Sequence, residues 1–400
     1  LCGLRCLCGI TETELLLRGR FSALLLFKLY FTPKLPLMRH TIFIATLFTA
    51  FLFGACSNPD KPVTYKEAED FSKQIDSAIH HRNPKYFNTL INIKELGRRI
   101  RKNSSEKISS AMERGAGTGL EKANMGGQII LAIEKRGSYE LVKHYEKDGV
   151  QHLLYRMYSE QGLNYHDFEL VKKNGKVGIA DFYIYIAGEN FSSMLANLLS
   201  ILDSPAGSEK SEDERSLESI QRIKKLMNDG KYEAAKEIFD GLPDKFRNQK
   251  TIQILGIQIT SQMDNETYLQ QLKDFEARYP NDPNTYLMTL DAAILNNDYG
   301  KALDNINHLD SLINKDKFLD FYRALMYNLM KEPLKAREYL ETLVQNYPAF
   351  ESGILELMAN YLEAKDYDKA RPMIEEFRKN DEFDQDLLKS VLAMYPDYTG

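Results

Sequence analysis

The residue with the clearest chemical potential in this sequence is Cys56. It stands at the end of an apolar run, in FTAFLFGACSNPD (residues 48–60), and no further cysteine follows it toward the C-terminus. A thiol at this position can be alkylated, but it has no later cysteine with which to form a disulfide. The type and position of Cys56 therefore predict covalent modification rather than a structural cross-link.

The apolar run before Cys56 has the form of an export signal. It follows Met38 and a short basic start, and it ends in the small residues Gly54 and Ala55. The run is shorter than the ~20 residues that a membrane-spanning helix needs. Its ending, LFGAC, resembles the lipobox of bacterial lipoproteins, although Phe53 stands where that family more often has leucine.

The lipoprotein resemblance implies a diacylglyceryl thioether on Cys56, with cleavage just before it. Residues 38–55 would then be the signal peptide, and residues 56–63 a tether to the membrane. By the family's sorting rule, Ser57 in second place implies the outer membrane, with the protein facing the periplasm. The alternative is an ordinary buried cysteine in an uncleaved anchor.

Residues 1–37 precede the first methionine of the sequence. We interpret them, including Cys2, Cys6 and Cys8, as upstream sequence ahead of the start at Met38. Three cysteines with no nearby histidine or fourth cysteine do not complete a zinc site. The alternative is a genuine additional apolar segment, because FSALLLFKLYF could enter a membrane.

The other residue types form no catalytic constellation. The sequence has seven histidines but no HExxH, and the glycine-rich ERGAGTG is followed by no GK[ST] of a phosphate-binding loop. A GxSxG nucleophile motif is also lacking. We therefore predict no catalytic residues, no metal and no cofactor, and we expect a protein that is not an enzyme.

Four side chains on two predicted strands are candidates for a ligand pocket. Alternation along residues 176–187 places Asp181, Tyr183 and Tyr185 on one face of a strand. Arg156 lies on another predicted strand, residues 150–159. The alternative is a solvent-facing surface with amphipathic tyrosines.

These strands belong to a predicted α+β domain, residues 64–202. Helical spacing comes first, and four period-two segments follow, joined in pairs by Asp148-Gly149 and Asn174-Gly175. Such dipeptides between strand-like runs are strong hairpin signals. The long hairpin strands of YHDFELVKKNGKVGIADFYIYIAGE resemble the nuclear-transport-factor-like fold, which implies a curved sheet that encloses a pocket.

Residues 215–400 contain an internal repeat, separated from the first domain by a Ser- and charge-rich linker, residues 203–214. Four segments align: KYEAAKEIF, DYGKALDNI, EPLKAREYL and DYDKARPMI. Their shared alanines, Ala235, Ala302, Ala336 and Ala370, are 67, 34 and 34 residues apart, which fits five units. The pattern resembles the tetratricopeptide repeat, which implies an all-α superhelix with a C-terminal capping helix. The alternative is an unrelated helical bundle.

The repeat resemblance also implies a concave groove lined by the first helix of each pair. The positions that match the family's groove residues are Gln258, Asn284, Asp291, Phe321, Asn328 and Ser352. We expect them to capture a peptide or helix of an unidentified protein partner. The alternative for each residue is a solvated surface position.

Charge is distributed unevenly along the chain. Residues 203–400 carry 25 Lys/Arg and 37 Asp/Glu, whereas the first 202 carry 27 and 20. An acidic C-terminal half argues against nucleic acid as a partner. The sequence thus favours a membrane-anchored interaction scaffold. The alternatives are small-ligand binding, or less readily catalysis, in the α+β domain with the repeats as a docking arm, and a purely structural role in the envelope.

Overall fold

The structure is a computed structural model that describes residues 61–104, 124–134, 136–159, 162–201, 212–280 and 282–399. The signal peptide, Cys56 and nearly all of the predicted linker lie outside the described residues. Within the described ranges, helices and an antiparallel sheet are followed by a long all-helical region, so the architecture is α+β and then all-α.

In the described ranges, four helices precede the sheet: α1 (Tyr65–His80), α2 (Pro84–Thr89), α3 (Ile93–Asn103) and α4 (Met125–Ala132). The first begins at a capping box, in which the Thr64 hydroxyl and the Glu67 carboxylate each accept a hydrogen bond from the other residue's backbone N–H. In α2, the Asn83 side chain caps the helix and Pro84 occupies the first turn. These local signals fix where each helix starts.

The sheet is an antiparallel meander in the order β1-β2-β3-β4-β5. Its strands are β1 (Ser138–Lys147), β2 (Val150–Ser159), β3 (Gly162–Lys173), β4 (Lys176–Ile184) and the short β5 (Glu189–Asn190). Both predicted tight turns are present, with φ of 52° and 76° at Asp148-Gly149 and of 51° and 74° at Asn174-Gly175. Positive φ at both central residues is what a two-residue hairpin turn requires.

Helices make up the rest of the described chain. They are α5 (Phe191–Ile201), α6 (Glu212–Asn228), α7 (Tyr232–Asp240), α8 (Asp244–Arg247), α9 (Lys250–Thr260), α10 (Asn265–Arg278), α11 (Pro283–Leu295), α12 (Tyr299–Leu312), α13 (Leu319–Leu329), α14 (Pro333–Asn346), α15 (Glu351–Glu363), α16 (Tyr367–Lys379) and α17 (Gln385–Ala393). From α6 onward they form five successive pairs, with the short α8 between the first two, and α17 ends the series.

The sheet is buried on both faces, because a layer of helices packs on each side. Tyr155, Phe168 and Ile179 belong to a core shared with α1–α5 and with parts of α9–α11. Residues on the opposite face, Leu154 and Tyr165 among them, join the core of α11–α17. Helices α6–α9 enclose a third, smaller core. The α+β part and the C-terminal helices therefore share a continuous packed interior.

Candidate functional site

A cavity of about 400 Å³ lies where the second face of the sheet meets the C-terminal helices. Strands β1–β5 supply most of its wall, and the start of α11 and the loop after α12 supply the remainder. Its lining residues are Lys143, Tyr145, Lys147, His152, Leu154, Asp167, Glu169, Tyr183, Tyr185, Asn190, Pro283, Leu312, Ile313 and Asn314. Most of these side chains are polar or aromatic, which is unusual for a space between two packed layers.

One wall of the cavity carries a hydrogen-bonded trio of side chains. The Tyr145 hydroxyl donates to one carboxylate oxygen of Asp167. The other oxygen lies 3.1 Å from Nδ1 of His152, a distance that fits donation from an Nδ1–H tautomer. The rings of Tyr145 and His152 stack at 5.0 Å. The carboxylate of Asp167 on β3 is thus held in place by two donors, Tyr145 on β1 and His152 on β2.

Burial and the nearby Asp167 carboxylate raise the pKa of the Tyr145 hydroxyl well above its ordinary value. The phenol consequently stays protonated at any physiological pH and remains a donor to Asp167. The described lining contains no serine, threonine or cysteine that could act as a nucleophile beside His152.

Tyr183 and Tyr185 form the opposite wall of the cavity. Their rings meet edge to face, with 5.2 Å between centroids. Burial raises the pKa of both phenols above the usual value. Sequence alternation placed these two residues together as pocket candidates, and both line the cavity.

The structure places the other two pocket candidates away from this cavity. Arg156 is only 1% exposed and lies between the sheet and the C-terminal helices, where Nη1 is 2.8 Å from a carboxylate oxygen of Asp316. Asp181 is 2% exposed and accepts hydrogen bonds from the backbone of Phe182 and from both donors of Ser192. Because its carboxylate caps the start of α5, Asp181 has a structural role at the end of the sheet.

The pairing of β3 with β4 contains an irregularity next to Asp181. It shifts between Glu169 and Leu170, so that Ala180 is an extra residue opposite them. Such a bulge interrupts simple alternation on the side of Asp181 that faces the start of β4. From Asp181 to Tyr183 the register is uninterrupted, with Asp181 opposite Glu169 and Tyr183 opposite Asp167, so the two residues share one face of the strand.

The predicted groove residues are largely covered by the chain's own sheet. Gln258, Asn284 and Phe321 are 4%, 0% and 4% exposed. The ring of Phe321 lies 6.5 Å from that of Tyr158 on β2. These three residues therefore do not line an open groove. Strand β2 lies beside Phe321, and the loop between β4 and β5 lies beside Asn284. Asn328 and Ser352 are partly exposed, and Asp291 lies on α11.

Gly188 shows how closely the sheet approaches the helices. Its φ is +65°, and a Cβ there would lie 2.3 Å from Nζ of Lys250 and 2.8 Å from Oδ1 of Asn284. Only glycine fits this conformation and this space. The Lys250 amine in turn donates to the Gly188 carbonyl, at 3.1 Å. The predicted groove residue Asn284 is thus enclosed by the loop between β4 and β5.

A second concavity, of about 750 Å³, lies between α14 and α16, over one side of α15. We call it the C-terminal groove. It is formed by Glu338, Glu341, Thr342, Val344, Gln345, Pro348, Ile354, Leu357, Met373, Glu376, Phe377, Asn380 and Phe383. Apart from the exposed Pro348, its apolar residues are buried or half-buried, whereas Glu338, Glu341 and Glu376 are exposed. The groove thus has an apolar floor and an acidic rim.

No protein-family model matches this chain, and no curated protein or solved structure matches it either. Among the described residues, no group of three or more histidine, cysteine, aspartate or glutamate side chains is placed to hold a metal ion. No helix in the described ranges combines the length and the apolar character needed to cross a bilayer.

Proposed function

We propose that this protein is a lipid-anchored cell-envelope protein that binds another polypeptide through its C-terminal helices. The observation that carries the proposal is the C-terminal groove, which combines an apolar floor with exposed carboxylates. The anchor is the thioether-linked lipid at Cys56 that the LFGAC motif implies. Ser57 favours the outer membrane, with the described part of the chain in the periplasm.

We further propose that the helix pairs are tetratricopeptide-type repeats. The alanines that the sequence aligns, Ala235, Ala302, Ala336 and Ala370, are each the fourth residue of α7, α12, α14 and α16, and all four are 0% exposed. A small residue at equivalent sites lets paired helices approach closely, and stacked pairs bury faces that one pair alone would expose. The equal burial of the four alanines supports this proposal.

The partner surface that we propose differs from the concave groove that the repeat resemblance implies. The sheet and its loops cover part of that side, as the contacts of Tyr158 with Phe321 and of Gly188 with Asn284 indicate. The C-terminal groove instead lies between second helices, and the described chain leaves it open. Apolar floors of this kind accept one face of an amphipathic helix.

The negative charge of the rim favours a partner of positive charge. Glu338 and Glu376 flank the floor from opposite sides, and both are exposed. Glu341 already contacts Lys369 and the hydroxyl of Tyr361, so its charge is partly compensated. Two exposed carboxylates on opposite sides of the floor favour a partner helix whose polar flanks carry lysine or arginine. We therefore propose a basic amphipathic segment as the ligand of the C-terminal groove.

Reversing the charge of the rim should weaken the binding of such a segment. The variant Glu338→Lys/Glu376→Lys is expected to bind a fluorescent 14-residue Leu/Lys amphipathic peptide about tenfold more weakly, about 1.4 kcal/mol, since each rim carboxylate contributes a fraction of a kcal/mol at the surface. Fluorescence anisotropy with the detergent-solubilised full chain measures this affinity.

The matched control for the rim variant is Glu233→Lys/Glu237→Lys on α7. It makes the same change in net charge at two exposed glutamates in the first helix pair, whereas the C-terminal groove lies between α14 and α16. The control should bind the peptide as the unmodified protein does. Equal loss of affinity in both variants would show that only the overall acidity of the protein attracts the peptide, and the groove proposal would then be abandoned.

The lipid anchor is tested separately at the thiol. Cys56→Ser removes the thiol to which the LFGAC motif assigns the thioether-linked diacylglyceryl chain, so incorporation of an alkyne-tagged fatty acid should fall to background. The protein should also leave the membrane fraction, because several acyl chains at ~0.8 kcal/mol per buried CH₂ provide the attachment. Ser57→Thr is the control and should keep its label. Persistent labelling of the Cys56 variant would contradict the anchor.

A further inference from the structure

We propose that the cavity between the sheet and the C-terminal helices binds a small acidic saccharide, such as a uronic acid unit. This proposal is independent of the peptide groove, because the two concavities share no lining residue. The cavity volume of about 400 Å³ lies within the ~300–1,000 Å³ range of small-molecule sites.

The aromatic side chains of the cavity suit the apolar faces of a sugar ring. Tyr145, Tyr183 and Tyr185 come from β1, from β4 and from the turn after β4, and all three line the space. A pyranose presents C–H groups on its faces and hydroxyls at its edge, so it needs aromatic surface and hydrogen-bonding groups side by side. A purely aliphatic ligand would leave the polar part of this lining without partners.

The polar groups of the cavity include both acceptors and donors at fixed positions. Asp167 is held by Tyr145 and His152, so its orientation is set before any ligand arrives. Asn190 and Asn314 add amide groups, each with a donor and an acceptor. Sugar hydroxyls both donate and accept, and a lining of mixed polarity matches that property.

The charges of the cavity favour an acidic sugar over a neutral one. Lys143 and Lys147 lie on the same face of β1 and line the space. Among the acidic lining groups, Glu169 is paired with Arg99 and Asp167 accepts from Tyr145 and His152. Two amines thus face two carboxylates that already have partners. A carboxylate on the ligand would find the lysines available as counter-charges.

Leu312, at the end of α12, is 47% exposed and forms part of the cavity lining. Leu312→Trp places a larger ring at this point without changing a buried position. We expect it to weaken saccharide binding at least tenfold. Leu334→Trp on α14 makes the same substitution at a leucine that is 70% exposed and lies outside the cavity, and it should have no effect.

The measurement is a saturation-transfer NMR titration of the full chain in detergent. The probes are glucuronic acid, galacturonic acid, glucose and N-acetylglucosamine. We expect transfer to a uronic acid, a several-fold weaker response for the neutral sugars, and loss of binding in Leu312→Trp alone. The absence of transfer to all four probes, or equal loss in both tryptophan variants, would overturn the proposal.

The variant Lys143→Gln/Lys147→Gln tests whether these two lysines recognise the carboxylate of the ligand. Both lysines are at least partly exposed, so the fold should tolerate the change, which circular dichroism checks. We expect the preference for uronic acids over neutral hexoses to disappear, with hexose binding retained. A preference that persists in this variant would show that the two lysines do not recognise the carboxylate of the ligand, and it would overturn the charge argument.

Discussion

Replacing Arg156 with methionine is expected to lower the free energy of unfolding by about 3–5 kcal/mol, the usual cost of removing one partner from a buried ion pair. Arg156 is the largest fully buried side chain in the described structure. Its loss leaves the Asp316 carboxylate, whose side chain is 1% exposed, without a counter-charge in the interior. Urea unfolding followed by circular dichroism measures the change.

The surroundings of Arg156 explain why the effect should be large. Nη1 lies 2.8 Å from Oδ1 of Asp316, and Nη2 donates to Glu140. The guanidinium also lies 4.1 Å from the ring centroid of Phe318 and 4.8 Å from that of Tyr347. The pair therefore joins β2 to the loop before α13 and links the sheet to the C-terminal helices. Stacking on two aromatic rings adds to the attraction.

A double variant separates the cost of the orphaned charge from the value of the pair itself. In Arg156→Met/Asp316→Asn, the amide keeps an acceptor for the hydroxyl of Tyr165, which lies 3.0 Å from Asp316. We expect the double variant to recover most of the lost stability, to within about 1–2 kcal/mol of the unmodified protein, since apolar replacement of a buried pair is often nearly neutral.

The control for this cycle is Arg136→Met. Arg136 also bridges the two parts of the protein, through Asp384 and Glu351, but its side chain is 43% exposed. Solvent-exposed ion pairs contribute about 0–1 kcal/mol. If Arg156→Met and Arg136→Met cost the same, burial of the Arg156 pair would not be the source of its stabilisation.

The regular elements of the fold could be predicted from the sequence, because their signals are local. Asp148-Gly149 and Asn174-Gly175 specify their turns through residues that accept positive φ, and the strands on either side follow the expected bounds closely. Some helices of the C-terminal region, namely α10, α11, α12 and α17, likewise begin at an aspartate whose side chain caps them, as Asp298 does for α12. No local sequence signal of this kind marks the two-residue strand β5, and the sequence did not predict it.

The packing of the sheet against the C-terminal helices could not be read from local pattern. The two members of the Arg156–Asp316 pair are 160 residues apart in the chain. No local sequence pattern around either residue identifies the other as its partner. One signal was present nevertheless. In β2, Leu153, Leu154 and Tyr155 are consecutive and all buried, whereas a sheet with one face in water shows strict alternation.

The same long-range packing decided which candidate site residues were accessible. Tyr183 and Tyr185 were identifiable because alternation is a property of one strand. The residues that complete their cavity, Asp167 and His152, come from neighbouring strands, and their hydrogen bond depends on the register of β2 with β3. The sheet and its loops also cover Asn284 and Phe321, and their position is encoded by no repeat pattern.

Glu356 is a carboxyl group buried inside the C-terminal helices. Its residue is 1% exposed, and Oε1 has no hydrogen-bond partner among the described residues. The other oxygen accepts a long bond, 3.4 Å, from the amide of Asn328. Burial, with the nearby Glu363 charge, raises the pKa of Glu356 from 4.5 to about 8. This site should therefore give the protein a distinct pH dependence.

The sign of that dependence follows from proton binding. Between pH 4.5 and 8 the folded protein keeps a proton on Glu356 that the unfolded chain has lost. The free energy of unfolding therefore falls as pH rises through this window, by up to ~1.4 kcal/mol per pH unit from this one group. Below about pH 4.5 and above about pH 8, Glu356 should add no further slope.

Glu356→Gln removes the titrating group but keeps its size and hydrogen-bonding capacity. We expect the variant to match the unmodified protein at pH 4.5 to within ~1 kcal/mol, and to be more stable at pH 9 by a margin on the order of 4 kcal/mol. Urea unfolding at several pH values measures the difference between the two proteins, which cancels contributions from groups that both contain.

Glu375→Gln, at an exposed position of α16, should show no such divergence. A constant offset between Glu356→Gln and the unmodified protein across this range would mean that Glu356 is already ionised in the folded state, with its charge compensated by the surrounding helices.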